Sequence, residues 1–371
     1  MTKKQVLRAI AFFVCVAVMV IALCDVFELE NTTNLNQRFY TYRSLEKNTV
    51  DAVIIGTSGI DRFWIPSKGY EDYGMTVFPL ATDAMPAWLY VQAIKDALLY
   101  QDLKLIVVDI RSFGQNNLKI DTMDVRARRL LDAMSTFSPY RIEAALKTMK
   151  LRHRINAKDA SRTDLSYIFS VVKYHTKWAD DGFKISENLG PVPHEFIGYY
   201  INPKLTTGKM KVKLKGYDPE RFAELDPLCE EALYELIEFS KENDIQLLFL
   251  DTPQIRGKSE TARSNTVYHI LDQEGMDYIH YYTPETESGI DPVLGFDFEN
   301  DYYNTGHVNY YGAVKFTDVF AKYLQENYTF TDYRDNEDVK ADWDGIQEKL
   351  EKKVKEFEEK GTGKMSVEGQ K

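Results

Sequence analysis

The sequence predicts a doubly wound α/β fold, a parallel sheet with helices on its faces, after an N-terminal apolar segment. Two observations predict the sheet. Short apolar runs recur at 52–55, 76–81, 105–110, 246–250 and 278–281, and the first, third and fourth are dominated by Val, Ile and Leu, as in strands buried on both faces. Longer amphipathic segments at 87–100, 219–243, 261–274 and 311–326 fall between and after them, giving the strand–helix alternation of a parallel sheet. The stretch between the first two strands reads as a loop.

The rhythm breaks between 112 and 216, which is too long for a plain connection and reads as a folded insertion capping the sheet. It holds a basic helical stretch at 124–150, an aromatic part with Tyr167, Phe169, Tyr174 and Trp178, and a turn-rich part with Pro191, Pro193 and Pro203. Arg126, Arg128, Arg129 and Arg141 read as a solvated helix face rather than a polyanion-binding surface. Beyond it, Trp343, Ile346, Leu350, Val354 and Phe357 recur at helical spacing. They predict one amphipathic C-terminal helix, packed on the body or on a partner, with a disordered tail from Thr362. The chain thus divides into an anchor or signal segment (1–30), an α/β domain (45–330) and a C-terminal helix with its tail (337–371).

With 371 residues, 44% of them hydrophobic, the chain is long enough for a core without disulfides or metals. A formal charge of −11 repels polyphosphate and excludes nucleic acid as the expected partner; a small or carbohydrate-like substrate suits it better. Three cysteines, Cys15, Cys24 and Cys229, build neither a disulfide framework nor a metal site, and Cys229 is expected as a buried helix residue. The histidines His153, His175, His194, His269 and His280 make no metal-ligand spacing, so neither metal nor other cofactor is implied.

Lys3, Lys4 and Arg8 precede an unbroken apolar stretch from 9 to 24, and Asp25, Glu28 and Glu30 follow it. This reads as one membrane span with its basic end cytoplasmic and the remaining chain outside. A cleaved secretory signal, with Ala22 and Cys24 at peptidase spacing, is the competing reading. A lipoprotein site at Cys24 is a third, against which stands Leu23 in the place of a small residue.

Two segments carry chemistry. The turn leaving the first strand reads Gly56-Thr57-Ser58-Gly59, and small residues at the carboxyl end of a buried parallel strand expose a hydroxyl beside backbone N–H groups. Ser58 is placed like a nucleophile. Some 250 residues on, Asn304-Thr305-Gly306-His307-Val308-Asn309 precedes the last helix and brings His307 to the same sheet edge, where its imidazole can take the Ser58 proton. Taken singly, the first segment is also an ordinary tight turn or phosphate-binding loop, and the second a capping histidine. No Gly-x-Gly-x-x-Gly turn marks a dinucleotide site, and Gly361-Thr362-Gly363-Lys364 lacks the spacer and the strand of a phosphate loop.

Together the segments resemble the first and last signature blocks of the SGNH/GDSL hydrolases, Gly-x-Ser after the first strand and Asp-x-x-His before the last helix. They are more similar still to the membrane-anchored, DltD-like branch of Gram-positive bacteria. There the opening reads Gly-Ser/Thr-Ser-His and runs to a Pro, here Pro66, and the ending reads Asp-x-x-His-x-Asn-x-x-Gly-Ala, against Asn304 through Ala313 here. The likeness spans about 51–324 and includes Tyr174-His175-Thr176-Lys177-Trp178. It implies a flavodoxin-like sheet and an extracytoplasmic ester hydrolase or O-acyltransferase with Ser58 as nucleophile and His307 as base. The implied substrate is an acyl ester on a glycan or teichoic-acid-like envelope polymer, modified by O-acetylation or D-alanylation, beside a membrane-bound O-acyltransferase. His175 and Trp178 read either as substrate contacts or as a packed aromatic cluster.

The departures from this pattern are specific. Gly59 stands where the branch has His, and Asn304 where the triad carboxylate belongs, with Asp301 three residues earlier as a replacement. An amide orients a histidine through its carbonyl oxygen, as Cys-His-Asn enzymes show, but stabilises imidazolium less. The second-block Gly and the third-block Asn are not evident, the corresponding loops reading Ala81-Thr82-Asp83 and Arg111-Ser112-Phe113-Gly114-Gln115-Asn116. Oxyanion donors are therefore expected from the main chain around Ser58, Gly59 and Thr82. Gly59 and Asn304 also support the rival reading, a catalytically degenerate domain that binds or scaffolds an envelope polymer.

Overall fold

The computed structural model describes residues 2–27, 34–115, 120–155, 164–179, 193–205 and 216–360. Helix α1 (Lys3–Val26) starts from a capping box in which Thr2 accepts from the Gln5 N–H and the Gln5 side chain accepts from the Thr2 N–H. Its 24 residues span roughly 36 Å at about 1.5 Å each. Leu7, Phe12 and Phe13 face outward, and α1 is long and apolar enough to cross a membrane. Helix α2 (Asn34–Ser44) then joins the body through buried Arg38, Phe39 and Tyr42, so the folded body reaches back to 34 rather than starting at 45.

The first half of the sheet comprises β1 (Ala52–Gly56), α3 (Ile60–Phe63), α4 (Pro66–Tyr73), β2 (Val77–Ala81), α5 (Tyr90–Ala97) and β3 (Leu105–Asp109). The expected loop between the first two strands is thus two short helices. Pro66 pre-sets the first turn of α4, and Gly74, at φ 73°, ends it in the left-handed conformation. The expected helix at 87–100 is shorter, a 3₁₀ turn at Ala87–Leu89 leading into α5.

Helices α6 (Ile120–Ala133), α7 (Pro139–Ile155) and α8 (Ser170–Tyr174) form the described part of the cap. The single helix expected at 124–150 is therefore two, the second opening at Pro139, which cannot continue a preceding helix. Its arginines are not all on a solvated face. Arg128 and Arg141 are buried: Arg128 bonds the Ser166 carbonyl and hydroxyl, and Arg141 the carbonyls of Leu131 and Ile168. They satisfy carbonyls at the end of α6 and in the turn at 166–168 that the cap removes from water. The last turn of α1 rests on this cap, where Cys24 is buried and its carbonyl accepts from Ser170 Oγ at 2.7 Å.

The chain completes the sheet with α9 (Pro227–Asn243), β4 (Leu247–Asp251), α10 (Lys258–Glu274) and β5 (Tyr278–His280). Asp226 caps α9 at the Leu228 N–H, eight residues later than the expected start at 219, and Cys229 is buried on it. A small antiparallel pair, β6 (Tyr302–Asn304) and β7 (His307–Val308), precedes α11 (Tyr310–Asn327). All five main strands are parallel in the order β2-β1-β3-β4-β5, which places a crevice where the order reverses, between β1 and β3. Strands β1 to β4 are buried throughout, and Pro79 is accommodated because β2 lies at the edge.

The C-terminal amphipathic segment is two helices, α12 (Glu337–Trp343) and α13 (Ile346–Lys360), separated at Gly345 with φ 70°. They cover the body: the Trp343 ring lies 5.4 Å from that of Tyr70, and Ser67 Oγ donates to Gln347 at 2.9 Å. The tail from Thr362 lies outside the described residues, as do Pro191 and Asn116.

Candidate active site

At the crevice, close approach fixes the turn after β1. A Cβ on Gly56 would sit 2.3 Å from Asp109 Cβ at the end of β3, so only glycine lets the two strand ends converge. The Asp109 carboxylate then accepts from the Thr57 N–H at 3.0 Å, the Thr57 hydroxyl at 2.6 Å and the Arg111 N–H at 3.1 Å. Burial pushes the Asp109 carboxyl up, and the Thr57 and Arg111 bonds oppose that. Asp109 thereby clamps the turn that carries Ser58 to the loop after β3. Gly59 is explained by its neighbour, because a Cβ there would lie 2.5 Å from Nε2 of the buried Gln254 in the loop after β4.

His307 arrives on a hairpin rather than in the open loop expected before the last helix. The hairpin is pinned to the loop after β4: the Tyr302 hydroxyl donates to the Pro253 carbonyl at 2.6 Å and the Ile255 N–H to the Thr305 carbonyl at 2.8 Å. Asn309 caps α11 by accepting from the Gly312 N–H at 3.1 Å. Asn304 Oδ1 accepts from the Gly306 N–H at 2.8 Å and lies 3.0 Å from His307 Nδ1. An acceptor at that point fixes the proton on Nδ1 and leaves the Nε2 lone pair free. Nε2 lies 2.9 Å from Ser58 Oγ. Ser58, His307 and Asn304, 249 positions apart at their extremes of contact, therefore form one hydrogen-bonded line.

Asp301 does not substitute for the missing carboxylate. It is buried on the other side of the hairpin, accepting from the Asp297 N–H at 2.6 Å and from Lys315 at 2.7 Å.

Two supporting residues escaped the sequence reading. Tyr303 stacks on His307 at 5.5 Å between ring centroids, 9° from parallel. Arg62, one turn beyond Ser58, donates to the Tyr303 hydroxyl at 2.8 Å and the Ser58 carbonyl at 3.0 Å while lying 4.4 Å over the Tyr200 ring. Its charge is met by Asp61, which also pairs with Arg38 of α2. The four-residue spacing from Ser58 and the position next to Asn304 were the available signals. Burial, with Arg62 and Arg111 nearby, pushes His307 down to about 3. The ring is neutral at physiological pH, a weak base whose Nε2 faces the Ser58 hydroxyl and which returns a proton readily.

Beside this line opens a pocket of about 400 Å³ lined by Ser58 and His307, by Ala84 after β2, by Arg111 and Gln115 after β3, and by the cap and α10. Ala84 adopts φ 55°, a left-handed conformation unusual for a side chain, and its N–H has no acceptor among the described residues, nor has that of Ser58. Thr82 is not arranged as expected: its N–H is spent on the Gly56 carbonyl at 3.1 Å, and its side chain is fully buried. His175 and Trp178 are exposed on the cap and line no part of the pocket, the His175 ring turning back to the carbonyls of Val171 and Val172. A larger depression, about 950 Å³, lies at the opposite, amino ends of the strands near Lys104 and Gln246, away from these groups. Among the described residues no group of three or more His, Cys, Asp or Glu could hold a metal ion.

A serine hydroxyl bonded to a neutral imidazole, itself oriented by a fixed acceptor, is the arrangement of an activated oxygen nucleophile. No protein-family model matches the chain, and no curated protein matches it.

Proposed function

We propose that this chain is a membrane-anchored, extracytoplasmic SGNH-type acyl-ester enzyme. The observation that carries the reading is the Ser58–His307–Asn304 line at the carboxyl edge of the parallel sheet, with 2.9 Å and 3.0 Å between its members. Ser58 Oγ attacks the ester carbonyl as its proton passes to His307 Nε2. The tetrahedral oxyanion is met by the N–H groups of Ser58 and Ala84 at the pocket wall. His307 then protonates the leaving alcohol, and an acyl-serine remains. Water or a sugar or polyol hydroxyl attacks that ester, gives its proton to His307, and Ser58 recovers it as the acyl group leaves.

The resemblance to the DltD-like branch supports an envelope glycan or teichoic-acid-like acceptor, with a membrane-bound O-acyltransferase as partner. The apolar α1 supports the anchor, with the cytoplasmic side assigned from Lys3, Lys4 and Arg8. The full chain in detergent should label with a fluorophosphonate at Ser58; equal labelling of Ser58→Ala would refute the assignment. One observation favours a second reading. Asn304 gives an imidazolium no counter-charge, as in a degenerate domain that binds the polymer without turning it over.

A further inference from the structure

The charge of the pocket opposes that of the chain. Among the described residues, its charged lining consists of Arg111, Arg126 and Arg263 against one carboxylate, Glu260, in a protein of net charge −11. Even Glu260 is shared, 3.3 Å from Arg111 Nε and 3.7 Å from Nε of the buried Arg256. Among the described residues the other partners of these arginines are neutral. Arg126 donates to Gln115 Oε1, and Arg263 donates to the Gly114 carbonyl and, at 2.9 Å, to Ser259 Oγ. A guanidinium has five N–H donors in a planar fork, so most of theirs remain for a ligand. Three such forks from three elements around a volume of about 400 Å³ leave an excess of positive charge beside Ser58.

We propose that this pocket is a subsite for an anionic group, a carboxylate or a phosphate, carried by the ester that Ser58 attacks, with Arg111, Arg126 and Arg263 as its ligands. The inference rests on the acyl-ester reading and sharpens it. An acyl group ending in an ammonium, such as an aminoacyl ester, meets like charge there, and an uncharged acyl group leaves the forks without a ligand.

The test uses the full chain in detergent and 4-nitrophenyl esters of similar length: adipate monoester (anionic), hexanoate (neutral), 6-aminohexanoate (cationic) and 5-phosphonopentanoate. The adipate or phosphonate ester should exceed hexanoate in kcat/KM by about tenfold or more, the scale of one charge-assisted hydrogen bond, with aminohexanoate lowest. Whichever anion ranks first decides between carboxylate and phosphate. Arg263→Gln and Arg126→Gln should bring the anion-to-neutral ratio toward one, while Arg263→Lys retains part of it and controls for folding. Equal kcat/KM across the series, or a ratio unmoved by both Gln variants, overturns the subsite. Calorimetric titration of Ser58→Ala with adipate and with inorganic phosphate separates the two claims. Arginine-dependent binding without fluorophosphonate labelling keeps the subsite and removes the enzyme; labelling without any anion binding or preference does the reverse.

Discussion

Replacing Asn304 by Asp isolates the electrostatic role of the third member of the line. Both bonds at this side chain are accepted by Oδ1, one from the Gly306 N–H at 2.8 Å and one facing His307 Nδ1 at 3.0 Å, so a carboxylate fits without rearrangement. The added charge sits roughly 4 Å from the centre of charge of an imidazolium, worth about 4 kcal/mol at an effective dielectric constant near 20. Both residues are half-buried, and solvent screening brings this to about 2–4 kcal/mol. The Asn304→Asp chain should therefore label with fluorophosphonate and turn over nitrophenyl esters on the order of 10²-fold faster. The pH profile gives a second reading. With His307 held down to about 3, the native rate should stay flat into the acid range, and the variant should lose activity at distinctly higher pH because its ring takes up a proton sooner. A folded variant with unchanged labelling rate and an unmoved acid limb would refute the assignment of His307 as base.

Asp109→Ala removes the acceptor of three donors and should cost about 2–4 kcal/mol in thermal or urea unfolding, with at least tenfold slower labelling of Ser58; Asp109→Asn should fall between. Gly59→Ala should destabilise by about 1–3 kcal/mol, and the double variant with Gln254→Ala by less than the sum of the singles, because the two side chains claim one space. His194 is buried with no partner at Nε2 among the described residues and is held down to about 3 by burial and by Arg38. The unfolded ring protonates near 6.5 while the folded one stays neutral, so its share of stability is full above that pH and falls between about 6.5 and 3. His194→Gln should flatten the unfolding profile in this window by up to about 1.4 kcal/mol per pH unit, and an unchanged slope would count against the shift.

The sheet was legible because strands buried on both faces must be apolar throughout, and β1, β3 and β4 are. Ser58 and His307 were legible because their loops sit at opposite ends of one topology. Helices α3 and α4 were not, since four and eight residues carry too little periodicity to register. The β6–β7 hairpin escaped for the same reason, with strands of three and two residues. Arg128 and Arg141 misled because charge usually means exposure; here their guanidiniums serve carbonyls that the fold buries. The role of Thr82 failed on hydrogen-bond competition, since its N–H closes the β1–β2 ladder at Gly56, whereas Ala84, two residues on, turns left-handed into the pocket. Asp109 and Arg62 are single charged residues whose meaning lies entirely in what tertiary structure sets against them.

Asn304 and the arginines of the pocket bear on the same quantity, the charge that meets an imidazolium when Ser58 gives up its proton. Burial, with Arg62 and Arg111 beside the ring, makes protonation of His307 unfavourable, and the amide of Asn304 brings no charge to offset them. An anion bound at Arg111 would offset that guanidinium at the moment the ring becomes charged, so an anionic ester brings part of the counter-charge that the line itself lacks. The two effects should then be non-additive. In Asn304→Asp, where a fixed carboxylate already faces the imidazolium, the kcat/KM advantage of the adipate ester over hexanoate should shrink relative to the native chain. An advantage of the same size in both chains would mean that the arginines hold substrate without touching the proton transfer.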